Sequence, residues 1–196
     1  MKKVLLIIVV LLILIAIPAT VFLVGQQQEL RKRAAPATVL SLTPASVTKK
    51  AGDSFTVDVH IDTGENQVVA VEFHLLFDQT KLEAKTITNS TQFPNILSSG
   101  TTTPPGTASI ALGSAGPAQP VRGAATVATI QFKALAATTS PISISFERNS
   151  TFVSSLGEAG INVLVNVTPA TITITADTAS TITPTLTPTI TVTPTI

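Results

Sequence analysis

Two histidines, His60 and His74, are the side chains best suited to acid–base or metal chemistry in this chain of 196 residues. Glu72 lies two residues from His74, a spacing that puts both on one face of a strand and would suit a general acid–base pair. Two such residues on an exposed strand face are usually only solvated. Neither histidine stands in a loop beside a nucleophile motif, so no Ser-His-Asp arrangement is indicated. His60 falls on a different predicted strand, and no shared metal site is expected. Asp62, Glu65, Asn66 and Asp78 carry oxygens in predicted turns and could hold calcium. Their spacing departs from the EF-hand pattern, so capping of turn amides is the better reading. Glycoside hydrolysis needs two carboxylates facing across a cleft, and nothing in the pattern sets two that way. The expectation is therefore a chain with no catalytic residues, no metal ligands and no cofactor. Asn89-Ser90-Thr91, Asn149-Ser150-Thr151 and Asn166-Val167-Thr168 form glycosylation sequons, informative only in a glycosylating host.

The elements that would position these residues are strands. Val69, Val71, Phe73, Leu75 and Phe77 alternate with Ala70, Glu72, His74, Leu76 and Asp78, a period of two with one face in a core. Asp78-Gln79-Thr80-Lys81 turns the chain, and Leu82 re-enters the apolar pattern. Residues 54–63 alternate as clearly, with Phe55, Val57, Val59 and Ile61 on one side and Thr56, Asp58, His60 and Asp62 on the other. In residues 124–134, Ala128, Ile130 and Phe132 are expected inward and Val127, Thr129, Gln131 and Lys133 outward. Further strands are read at 39–42, 82–88, 107–112, 142–146, 161–165 and 168–175. Residues 93–97 form a short apolar stretch, and 98–106 read as a loop. Strands at this spacing, with turn signals between them, mean an all-β sandwich.

Composition narrows the function classes. A net charge of +1 gives no field that would gather nucleic acid. Cysteine is absent, which excludes disulfides and thiolate metal sites. Trp and Tyr are absent too, and eight Phe are few for a surface that stacks on sugar rings.

The ends differ from the middle. Residues 4–24 are an apolar run of 21 residues, about 31 Å as a helix and long enough to cross a hydrocarbon core. It reads as an uncleaved transmembrane anchor within residues 1–25, N-terminus inside and the domain extracytoplasmic at the cell surface. The alternative is a signal peptide, with the domain secreted, although no clear small-residue cleavage site follows. Residues 26–38 read as a linker, residues 39–176 as the sandwich and residues 177–196 as a Thr/Pro-rich linker or stalk.

Three stretches together resemble a cohesin module. Gly52-Asp53 precedes an alternating strand, residues 71–83 combine an aromatic-bearing strand with an Asp turn and Lys-Leu-Glu, and Gly123 precedes Ala-Thr-Ile-Gln-Phe-Lys at 128–133. The resemblance covers residues 40–175. It implies a nine-stranded jelly-roll sandwich, related to carbohydrate-binding modules, in which one flat sheet face docks a dockerin-like protein. On this chain that face would carry Glu72, His74, Leu76, Val127, Thr129 and Gln131. No dockerin-like duplicated calcium loop is present. A polysaccharide-binding module of the same superfamily, or a ligand-free spacer, are the other readings.

Overall fold

The computed structural model describes residues 38–158 and 160–177. The expected anchor at 4–24, the linker up to Ala37 and the Thr/Pro-rich segment from Thr178 lie outside them. Among the described residues twelve strands follow one another. They are β1 (Thr38–Thr43), β2 (Ser46–Lys50), β3 (Ser54–Asp62), β4 (Val68–Leu76), β5 (Leu82–Asn89) and β6 (Asn95–Thr101). Then come β7 (Thr107–Gly113), β8 (Ala124–Ala134), β9 (Ile142–Phe146), β10 (Phe152–Ser155), β11 (Leu164–Thr168) and β12 (Ala170–Thr175). A 3₁₀ turn, Arg148–Ser150, precedes β10.

The strands form two sheets. One runs β11-β1-β3-β8-β5; the other runs β2-β12-β9-β4-β7-β6, with β10 also paired to β4. Each sheet contributes the apolar row its alternation marks. Val57, Val59 and Ile61 of β3 and Ile130 and Phe132 of β8 meet Val71, Phe73 and Leu75 of β4, all at most 1% exposed. Burial of each such side chain is worth about 1.5–3 kcal/mol, which is why period two fixes which face turns inward. Phe132 links the layers: its ring stacks on Phe55 at 5.8 Å and meets the edge of Phe77 at 5.2 Å.

The all-β sandwich is as expected, and the strand count is a correction. Nine strands were implied and twelve are present among the described residues. β2 has one half-buried apolar residue, Val47, and β10 is only four residues long, so neither carries a readable period. β6 is exposed along its whole length and takes in Ser98–Thr101 of the expected loop, because an edge strand needs no buried row. The strand expected at 161–165 begins instead at Leu164. Asn162 bridges the gap, accepting from the amides of Val153 and Leu164 at 3.0 and 3.1 Å and donating to the Thr151 carbonyl at 2.9 Å.

One turn requires glycine. Gly106 has φ +86°, and a Cβ there would stand 3.0 Å from the Phe77 carbonyl oxygen. Its own carbonyl accepts the Phe77 amide at 2.9 Å, which ties the end of β4 to the turn entering β7. Gly106→Ala is expected to cost about 1–2 kcal/mol through the left-handed backbone alone. Urea unfolding checks this, and a loss below about 0.3 kcal/mol would contradict it.

Candidate functional site

The outward side chains of β4 are Ala70, Glu72, His74 and Leu76. Antiparallel pairing sets Gly113, Ala111, Ser109 and Thr107 of β7 directly beside them. Across the other edge of β4, Phe152 lies opposite Glu72 and Ser145 opposite Leu76. Directly paired residues share a sheet face, so these small side chains make a floor with little relief. Leu97 joins it from β6 at a bulge between Ile96 and Ser98. A Cβ on Gly113 would lie 3.4 Å from Leu97 Cδ2, so the leucine rests in the space that glycine leaves open.

Three large apolar side chains therefore stand out on one flat face: Leu76 at 40% exposure, Leu97 at 62% and Phe152 at 37%. Between them, His74 Nε2 and Glu72 Oε1 are 3.0 Å apart. This is a polar pair at the middle of an apolar rim. A proton could pass between the two groups, but neither faces a nucleophile or a cleft.

The other outward face differs in character. Thr56, Asp58 and His60 of β3 pair with Gln131, Thr129 and Thr126 of β8. Thr129 Oγ1 donates to Asp58 Oδ1 at 2.6 Å, and neither strand carries a large exposed apolar residue. The six expected docking residues do not share one face. β4 belongs to one sheet and β8 to the other, so Glu72, His74 and Leu76 point away from Thr129 and Gln131. Val127 is not outward at all. It is the extra residue of a bulge where Val59 pairs with Ala128 and His60 with Thr126, and it turns inward at 0% exposure. His60 and His74 lie in opposite sheets.

Leu97 and Phe152 were not found from the sequence. Both sit on strands with no alternation to read; their only signals are the short apolar stretch that Leu97 ends and a Phe-Val pair set between polar residues at 152–153.

Of the expected turn oxygens, those of Asp62 and Asp78 cap backbone amides. Asp62 Oδ1 accepts from the Gly64 amide at 3.0 Å, and Asn66 Nδ2 donates to Thr38 Oγ1 at 2.8 Å. Asp78 Oδ1 accepts from both the hydroxyl and the amide of Thr80, at 2.7 and 2.8 Å. Among the described residues no three His, Cys, Asp or Glu side chains gather as a metal site needs. The Thr80 hydroxyl bond, then the Thr80 amide bond, hold the Asp78 carboxyl below its ordinary pKa, with a smaller contribution from Lys81. A depressed folded value means that this contribution to stability is present above the ordinary carboxylate range. It is lost as pH falls through the folded value. Thr80→Ala should move the Asp78 titration upward toward the ordinary value, read on its carboxyl carbon by NMR. An unmoved titration would contradict the assignment.

A family model described as the cohesin domain matches residues 40–174. No curated protein matches the chain. Among solved structures, a cohesin of Clostridium acetobutylicum is similar at 18% identity, over 72% of this chain and 92% of its own, with a TM-score of 0.62. The sixth cohesin of scaffoldin B from Acetivibrio cellulolyticus, solved in complex with a dockerin, is 17% identical over 71% of this chain and 100% of its own, TM-score 0.59. A non-cellulosomal cohesin of the archaeon Archaeoglobus fulgidus is 12% identical over 71% and 92%, TM-score 0.56. These structures share the two-sheet fold, and the family model spans well over half the chain. The protein belongs to the cohesin family.

Proposed function

We propose that this domain is a non-catalytic docking module whose partner is a dockerin-type protein module, held on the outward face of β4, β7 and β6. The observation that carries it is the placing of Leu76, Leu97 and Phe152, exposed around a floor of Ala111, Ser109 and Ser145. A monomer that leaves such a patch open on a flat sheet has a surface suited to a protein partner. The outward face of β3 and β8, polar and bonded within itself, lacks anchors of that kind. The A. cellulolyticus cohesin was solved with a dockerin, which supports the partner class. The same reading has residues 4–24 anchoring the chain in a membrane, the domain extracytoplasmic, and residues 178–196 contributing spacer length beyond the sandwich.

The test is a calorimetric titration of the protein with each dockerin module encoded by its source, with soluble and insoluble polysaccharides in parallel. One dockerin should bind with a dissociation constant of about 1 μM or tighter. Retention on a polysaccharide with no dockerin bound would overturn the reading.

A further inference from the structure

Gly113 ends β7 with a partner on either side, Ala70 of β4 and Asn95 of β6. A glycine in a paired strand loses more conformational freedom on folding than alanine and brings no side chain to pack. The backbone does not ask for one here, because Gly113 has no positive φ. The space does not ask for one either. A Cβ on Gly113 would meet Leu97 Cδ2 at 3.4 Å, Leu97 Cγ at 3.5 Å and Asn95 Cβ at 3.6 Å, all ordinary contacts. Gly113 is nevertheless buried, and Leu97 lies closest over it.

Leu97 needs such a seat. It stands at an irregularity in β6, between Ile96, which pairs with Leu112, and Ser98, which pairs with Ala111. A bulged residue falls outside the alternation of the pleat, so ladder pairing does not set where its side chain points. The strand on either side of it is fixed. Asn95 pairs with Gly113, and its Nδ2 donates to the Ser114 carbonyl at 2.6 Å. Gly100 lies against the core: a Cβ there would stand 3.3 Å from Ile110 Cδ1 and 3.4 Å from Ile87 Cβ. Between these two fixed points Leu97 is 62% exposed, and its contact above Gly113 orients it.

We propose that Gly113 is a positioning residue for docking: the space it leaves holds the Leu97 side chain down on β7, in the orientation a partner meets. The effect on affinity rests on the docking reading above, whereas the seating of Leu97 is a property of the free protein. Alanine keeps the seat, because its Cβ stops at contact distance from the leucine. Valine adds two methyl carbons beyond that Cβ, into volume that Leu97 Cγ and Cδ2 now border, and lifts the leucine off the strand.

The test has two arms, both on the full chain in detergent micelles. The first is methyl NMR of the free protein, reading the difference between the Leu97 δ1 and δ2 carbon shifts, which reports the side-chain rotamer. Gly113→Val should change that difference and Gly113→Ala should not, with the core methyls of Leu40 and Leu82 unmoved. An unchanged difference in the valine variant would overturn the proposal whatever binds the face. The second arm is a double-mutant cycle titrated with the dockerin that binds the parent most tightly. Gly113→Val should weaken binding about ten-fold or more in the parent, and less than about two-fold once Leu97 is alanine. Gly113→Ala should bind like the parent and unfold at a urea midpoint no lower, which separates loss of the seat from loss of the fold. Equal losses in the two backgrounds would overturn the proposal. Parent affinity in Leu97→Ala would overturn the docking role of this rim and the functional half of the proposal with it, while the first arm decides the seating independently.

Discussion

Phe132→Ala is expected to remove about 3–5 kcal/mol of folding stability, the largest single effect on the fold. The residue is fully buried on β8 and touches both layers: Phe55 from the adjacent strand of its own sheet, Phe77 from the end of β4 opposite. Truncation forfeits the apolar transfer and leaves a cavity between rings whose positions the backbone pairing fixes. Collapse is limited because Phe55 and Phe132 are cross-strand partners and Phe77 is tied to Gly106. Domains of this size commonly have only about 5–15 kcal/mol in total, so the variant should sit close to its unfolding threshold at ambient temperature. Urea titration should show a midpoint lowered at unchanged slope. A loss under about 1 kcal/mol would mean that the three rings do not form the bridge between layers.

Leu76→Asp with Leu97→Asp should lower dockerin affinity at least 100-fold, about 2.7 kcal/mol, while leaving the fold intact. Both leucines are substantially exposed, so the free protein loses little packing. In a complex each aspartate would have to be desolvated against an apolar partner surface without a counter-charge. Gln131→Asp on the opposite sheet adds a charge of the same sign at comparable exposure and should change affinity by less than about two-fold. Equal losses from the two faces would mean that net charge, and not the leucine rim, governs binding. A double aspartate variant that binds as tightly as the parent would remove the β4–β7–β6 face from consideration.

Much of the fold was legible because burial writes itself into the sequence with period two. The rows of β3, β4, β7 and β8 could be assigned to core or solvent almost residue by residue. Val127 and Val69 are the exceptions, and the reasons are local. A bulge places two successive residues, Val127 and Ala128, on the inner side. At the start of β4, where Ser154 pairs with Ala70 and Ser155 with Val68, Val68 is buried and the expected Val69 only half-buried. Nothing in an alternating string marks where the extra residue goes. The pairing of strands was not legible in the same way. β4 and β8 each show one inward and one outward row, yet which sheet each joins depends on partners far along the chain. β4 pairs with β7, β9 and β10, whereas β8 pairs with β3 and β5. The expected docking set was therefore correct strand by strand in most of its outward positions and wrong as a surface. Edge elements were hardest. β2, β6 and β10 bury too little to carry a period, and Leu97 and Phe152 came into view only when pairing set them beside Gly113 and Glu72.

The most direct measurement of the docking assignment is methyl NMR on the domain with and without one equivalent of a dockerin that binds it. Docking on the β4–β7–β6 face requires shifts or broadening at Leu76, Leu97 and Ala111, with Thr56, Thr86 and Thr129 unmoved. Perturbation confined to Thr56, Thr86 and Thr129 would place the partner on the opposite sheet and contradict it.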